Sequence, residues 1–305
     1  MFKRLAYLSV AEVTVKRADL AAAAYVLGAV NGLVPQAVHS IERDGLRGAA
    51  FGTFGVSLVV AAATVVGAKL ASRAAGQVNT LADLIEFSCF FALLLLPSAK
   101  ASWLAVLFLA AVEAGRGRRD YAARGAALLF ALIAVSEGWS QILLQAFPSV
   151  LSLDAALSGW LLNLLKGGVK VTSNVLAIEN QQGLVVLAGC SSLLGSLYAI
   201  LCWTTVRHAI CSGRPKRDLS GLFAIISVAV SLNAIRLALM GLSESWYEIV
   251  HGPVGANVYN AALLFAAILI ASARAVRPDK GHSSSRHLAP VDRDIEYWPE
   301  DSIRR

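Results

Sequence analysis

Charge is scarce in this sequence. Only 15% of its 305 residues are Asp, Glu, Lys or Arg, against about 25% in a soluble domain. That shortage argues against a soluble globular protein of this length. Proline is also scarce, with 8 residues. No Gly-rich loop stands beside a basic residue, so nothing points to phosphate binding by a nucleotide-binding loop. Clustered His, Cys, Asp and Glu at metal-ligand spacing are missing, and so is a serine nucleophile elbow. There is no internal repeat. The start, Met1–Asp19, holds Lys3, Arg4, Lys16 and Arg17 but no long apolar run, so no cleavable secretory signal is expected there.

Apolar residues are abundant, at 57% with a mean hydropathy of +0.63. They fall in long blocks, as in a polytopic helical membrane protein. Eight blocks stand out: Leu20–Val38, Gly48–Ala68, Leu84–Pro97, Ala101–Ala114, Ala122–Phe147, Cys190–Val206, Leu219–Leu242 and Pro253–Ala273. The third and fourth are short for a crossing of about 20 residues. They read as a tight hairpin or a re-entrant pair, and either leaves the facing of later spans unchanged. With both termini cytoplasmic, 21 of the 27 basic residues lie inside, five lie outside, and Arg236 lies within a span. That asymmetry sets the expected orientation. The net charge of +7 is accounted for by these inward clusters and does not call for nucleic acid.

The expected organisation is a cytoplasmic N-terminus (1–19), five spans (20–147), an outer loop (148–189), a three-span catalytic part (190–273) and a disordered cytoplasmic tail (274–305). In the outer loop, Leu153, Leu157, Trp160, Leu161, Leu164 and Leu165 fall at helical spacing, with Asp154, Ser158, Asn163 and Lys166 facing elsewhere. This predicts a helix lying in the headgroup plane. After Gly167-Gly168 the stretches Val169–Ile178 and Leu184–Leu187 are β-rich. Asn180-Gln181-Gln182-Gly183 between them signals a turn, so a short β-hairpin is expected to run into Cys190.

Three residues at outer helix ends carry the chemistry. Cys190 opens the sixth span, where a helix N-terminus favours the thiolate; Ser191 and Ser192 can cap that helix. Of the four cysteines it alone faces outward, since Cys89 and Cys202 fall within spans and Cys211 inside. The plainer reading of Cys190 is a small packed residue. Arg236, in the seventh span, is costly at membrane depth and therefore a functional candidate, unless it snorkels to the headgroups. Asn233 lies one turn away on the same face. His251, in the connection before the eighth span, is of a residue type suited to proton transfer near neutral pH, or is simply a loop residue. Together they supply a nucleophile, an electrostatic stabiliser and an acid/base group, the requirements of acyl transfer through a thioester. Glu137, with Trp139, Gln141 and Gln145, either lines the same cavity or pairs with Arg236. Glu86 and Glu113 lie toward the inner surface, where carboxylates are ordinary.

The ordered set Gly189-Cys190-Ser191-Ser192, Asn233-Ala234-Ile235-Arg236-Leu237 and His251-Gly252-Pro253-Val254-Gly255 resembles the exosortase/archaeosortase family, most closely over Gly168–Ala273. The family often has Gly two residues after the cysteine, where this chain has Ser192. The resemblance implies a multi-spanning cysteine transpeptidase of the inner membrane. It would cleave C-terminal sorting signals of exported proteins near the outer leaflet, often alongside exopolysaccharide systems. Cys190 would be the nucleophile, Arg236 the transition-state stabiliser and His251 the acid/base, with Asn233, Ser191 and Glu137 in support. No cofactor is implied; the partners would be membrane lipid and the exported protein, with no nucleic acid. The alternative from another class is a non-enzymatic subunit of an export or polysaccharide-assembly system, with Arg236 and Glu137 lining an anion path.

Overall fold

The structure is a computed structural model that describes residues 16–51, 53–75, 81–94, 96, 98–117, 120–179, 183–210 and 218–275. Residues 276–305 of the predicted cytoplasmic tail, Cys211 and most of the predicted 180–183 turn lie outside these residues; Arg274 and Ala275, placed in that tail by the sequence, are the end of the last helix. The described chain is helical apart from one small sheet. Its helices are α1 (Arg17–Phe51), α2 (Leu58–Ser72), α3 (Leu81–Leu94), α4 (Ala99–Arg116), α5 (Tyr121–Ala134), α6 (Ser140–Ala146), α7 (Ser149–Leu165), α8 (Ser192–Ile210), α9 (Leu219–Met240), α10 (Glu244–His251) and α11 (Pro253–Ala275). Among the described residues five helical stretches are long and apolar enough to cross a membrane: Arg17–Ala50, Tyr121–Ala146, Ser192–Ile210, Leu219–Met240 and Val254–Ala273. The 15 residues of α2 reach only about 22 Å, short of a hydrocarbon core of about 30 Å. Large apolar side chains such as Phe223, Val258 and Phe265 are exposed along the long helices. Surface of that kind matches lipid tails rather than water.

Several boundaries differ from expectation. The first helix does not stop at Val38 but runs 35 residues to Phe51. The polar residues after Val38 favour solvent without breaking a helix; the break comes at Gly45, whose φ of 70° only glycine adopts freely. The second span therefore starts at Leu58, capped by the Ser57 side chain, and not at Gly48. The fifth predicted span is two helices, α5 and α6, joined by a π-helical turn over Val135–Trp139 that contains Glu137.

Two apolar groups hold the bundle. In the N-terminal one, Tyr25 stacks on Phe130 with centroids 4.4 Å apart, and Trp103 and Leu109 are buried beside them. In the C-terminal one, α8, α9 and α11 close around Trp203, Ile225, Ala229 and Ala267. One end of the bundle is tied by charge. Arg17 bonds to Asp83, to Glu86 at 3.0 Å and to Glu113 at 2.5 Å, and Arg116 reaches Asp83 at 2.9 Å and Glu86 at 2.6 Å. At that end Tyr121 also meets His208, and Asp120 accepts the Ala75 N–H at 2.6 Å. Glu86 and Glu113 are therefore not ordinary surface carboxylates. They belong to an enclosed network joining α1, α3 and α4, which partners the charges inside a low-dielectric bundle.

The opposite end carries the sheet. The predicted first strand is two strands: β1 (Val169–Thr172) and β2 (Val175–Ile178) pair antiparallel, with Thr172 opposite Val175. The turn is made at Ser173, which takes a left-handed φ of 56°. β3 (Leu184–Val185) then pairs with β2 in the order β1-β2-β3. An apolar cap of Leu162, Leu176, Val186, Leu237, Met240 and Val250 joins α7, the sheet, α9 and α10.

Candidate functional site

The chain enters the site from β3. Asn174 clamps the residue after that strand, its O accepting the Val186 N–H at 2.8 Å and its side chain donating to the Val186 carbonyl at 3.0 Å. The backbone then makes a single 3₁₀ turn over Ala188–Cys190, closed by the Cys190 N–H to Leu187 O at 2.9 Å. Cys190 thus precedes its helix by two residues instead of opening it, because the extended backbone of Ser191 separates the turn from α8. The Ser191 hydroxyl accepts the Leu193 N–H at 3.1 Å and caps the helix start. Cys190 remains partly exposed and packs against the apolar cap.

Two buried side chains from neighbouring helices grip this segment. Asn233 of α9 donates from its side-chain nitrogen to the Cys190 carbonyl at 2.9 Å. Asp154 of α7 accepts the Ser192 N–H at 2.8 Å. The main chain on both sides of the thiol is therefore fixed while the thiol itself is left free of bonds to other described groups.

Arg236 lies one helical turn beyond Asn233 on α9. Its guanidinium carbon sits 5.1 Å from the centre of the Tyr259 ring on α11, and its Nε–H has no hydrogen-bond partner among the described residues. His251 is the last residue of α10, exposed, with its ring stacked on Tyr247 at 5.1 Å. Its neighbour Val250 packs into the same cap as Cys190 and as Leu237, the residue after Arg236. One apolar cluster thus borders all three predicted residues, although no hydrogen bond or ion pair joins them among the described residues.

Glu137 is placed differently. It accepts the Tyr198 hydroxyl at 2.7 Å and makes no ion pair with Arg236 among the described residues. It faces a cavity of about 400 Å³ shared with Gln36, Lys100, Trp103, Gln141 and Gln145. A π-helical turn of this kind often marks a functional position. Among the described residues no group of three or more His, Cys, Asp and Glu could hold a metal ion.

Sequence reasoning passed over Asp154 and Tyr259. The predicted amphipathic helix is there as α7, with much of its leucine side left open to the surroundings and part of its polar side packed on the protein. Asp154, Ala155, Ser158, Gly159 and Leu162 face the protein, with Asp154 only 1% exposed, while Trp160 and Leu164 are 61% and 66% exposed. The available signal was the run of small residues beside Asp154, since small side chains let membrane helices approach closely.

The family model for transmembrane exosortase matches residues 18–272. The chain belongs to the transmembrane exosortase family. The match takes in the N-terminal helices as well as the part that carries Cys190, Arg236 and His251, so the whole described bundle is the exosortase unit. No curated protein and no solved structure matches the chain.

Proposed function

We propose that this exosortase-family chain is a membrane-embedded cysteine transpeptidase that cleaves a C-terminal sorting signal of an exported protein near the outer leaflet. In this reading the chain crosses the inner membrane about eight times with both termini in the cytoplasm. The tethered Cys190 turn is the observation that supports the reading best: backbone bonds and Asn233 hold the residue on a fixed frame while its thiol is free. A reacting atom held in place converts a two-body encounter into a local one.

The Cys190 thiolate attacks the scissile peptide carbonyl, and the carbonyl electron pair moves onto oxygen. Arg236, whose Nε–H is unclaimed, donates to that oxyanion. The intermediate collapses with loss of the C–N bond, and His251 gives its proton to the departing amine. An incoming amine or water, deprotonated by His251, then attacks the thioester and returns the sulfur as thiolate. The substrate's own span would bring its cleavage site to this depth. A link to exopolysaccharide export fits the same reading.

The test uses an exported protein of the same genome that ends in a short motif, an apolar span and a basic tail. With wild-type chain this protein is shortened, and an adduct through Cys190 is released by hydroxylamine. Cys190→Ser accumulates in the membrane and leaves the substrate at full length. Arg236→Lys slows cleavage by on the order of 10²–10³, because a point charge does not replace the planar fork. Full processing by Cys190→Ser refutes the mechanism and favours a non-enzymatic export or polysaccharide-assembly subunit.

A further inference from the structure

Beside Cys190, Arg236 and His251 lie two buried polar groups for which the proposed mechanism has no use. Asp154 is 1% exposed; one carboxylate oxygen accepts the Ser192 N–H, and the other, Oδ1, has no partner among the described residues. Tyr259 has a buried hydroxyl that likewise lacks a partner among the described residues. That hydroxyl sits against Gly195 of α8 so closely that any Cβ there would collide with it. Asp154 and Tyr259 thus meet the same first turn of α8, one at Ser192 and the other at Gly195. With Arg236 Nε, three unpartnered buried polar atoms belong to three groups that are linked in this way. Folded proteins leave few such atoms, and each calls for a reason.

The physical problem at this point is the guanidinium. A long cationic side chain near the end of a membrane helix tends to extend toward the headgroups. A cation over an aromatic face is held by the ring quadrupole, and more strongly where water is excluded. Stacking also fixes the plane of the guanidinium and leaves its rim of N–H donors uncovered. Tyr259 offers that face, and the glycine at 195 lets its hydroxyl rest on the very helix that follows Cys190. Asp154 fixes the start of that helix at Ser192, three residues before Gly195. Helices α7, α9 and α11 thus hold both the nucleophile's backbone and the stabilising cation.

We propose that Tyr259 and Asp154 are positioning residues that hold Arg236 facing Cys190, an inference that rests on the cysteine-transpeptidase reading. The test needs no substrate. Full-length protein in nanodiscs is treated with two methanethiosulfonate reagents of similar size, one an anionic sulfonate and one a quaternary ammonium. Modification of Cys190 is timed by peptide mass spectrometry, and the ratio of the two rates reports the positive field at the thiol. Wild type favours the sulfonate, and Arg236→Ala removes that preference. Tyr259→Phe keeps the ring and keeps most of the ratio, whereas Tyr259→Leu lowers it about threefold to tenfold, the range a buried face contact supports.

Asp154→Asn gives a test of sign. It is nearly isosteric and still offers an oxygen to Ser192, which guards against a folding defect. If Asp154 acted only as a nearby negative charge, removing it would raise the preference for the sulfonate. If it positions Arg236, the preference falls. An unchanged ratio in Tyr259→Leu, or an unchanged or raised ratio in Asp154→Asn, overturns the positioning role while the cysteine mechanism stands. An unchanged ratio in Arg236→Ala means that Arg236 does not face Cys190, and then the underlying reading of Arg236 fails instead.

Discussion

Asn233→Leu isolates the bond that fixes the Cys190 turn. Asn233 is 1% exposed and its side chain donates to the Cys190 carbonyl at 2.9 Å. Leucine keeps the branched outline of asparagine and removes its donor, so the main loss is one hydrogen bond, with a further contribution from its bulkier methyl groups. Leaving a buried acceptor unsatisfied costs about 1–3 kcal/mol. Cys190 is partly exposed, so water can reach its carbonyl, and the lower half of that range applies. At about 1.4 kcal/mol for each factor of ten, a cost of about 1–2 kcal/mol corresponds to roughly a fivefold to thirtyfold change. Because the bond positions the segment that carries the thiol, the loss is expected in the rate of substrate shortening. Substrate binding should change less. The assay follows processing in membranes by immunoblot, together with thermal unfolding of the purified protein, which should fall by only a few degrees. Asn233→Asp places an acceptor against the same carbonyl and should be worse than Leu. Processing at the wild-type rate in both variants would show that the tether does not set the geometry of the nucleophile.

Two further outcomes are expected. Arg17→Ala leaves Asp83 and Glu86 with Arg116 but takes from Glu113 the cation bonded to it, and should destabilise the bundle by about 3–5 kcal/mol, the cost of breaking a buried pair; an unchanged melting temperature refutes a structural role for the network, and Cys190 alkylation in the surviving folded protein should be unaffected. An impermeant thiol reagent applied to spheroplasts should modify Cys190 and spare Cys211 until the membrane is opened, and labelling of Cys211 alone would invert the proposed topology.

Much of the candidate site was legible because its residues are chemically costly where they stand. An arginine inside an apolar block, a cysteine among serines at a block's edge and a histidine beside a Gly-Pro pair are each visible in one dimension. Their order along the chain brought out the family. Asn233 was legible for a related reason: one helical turn from Arg236, it shares that residue's face whatever the tertiary structure. The π-helical turn at Glu137 was not, since Ala122–Phe147 reads as one continuous apolar block. Neither was the partner of Glu137, for Tyr198 is 61 residues away and nothing local selects it over Arg236.

What the sequence determined alone is the solvent in which the fold exists, the helical class and the three chemical groups brought to one end. Those follow from hydrophobic blocks long enough for a membrane and from polar residues too expensive to be accidental there. Only the tertiary structure decided which face of each helix meets protein. In water that face is the apolar one, and a hydrophobic stripe announces it. Lipid tails are as apolar as leucine, so the stripe loses its meaning and close packing of small residues takes over. That is why α7 turns Asp154 and Ser158 inward and leaves Trp160 and Leu164 outward for lipid. It is also why Arg17 and Glu113, 96 residues apart, could be recognised as partners only once the helices were packed.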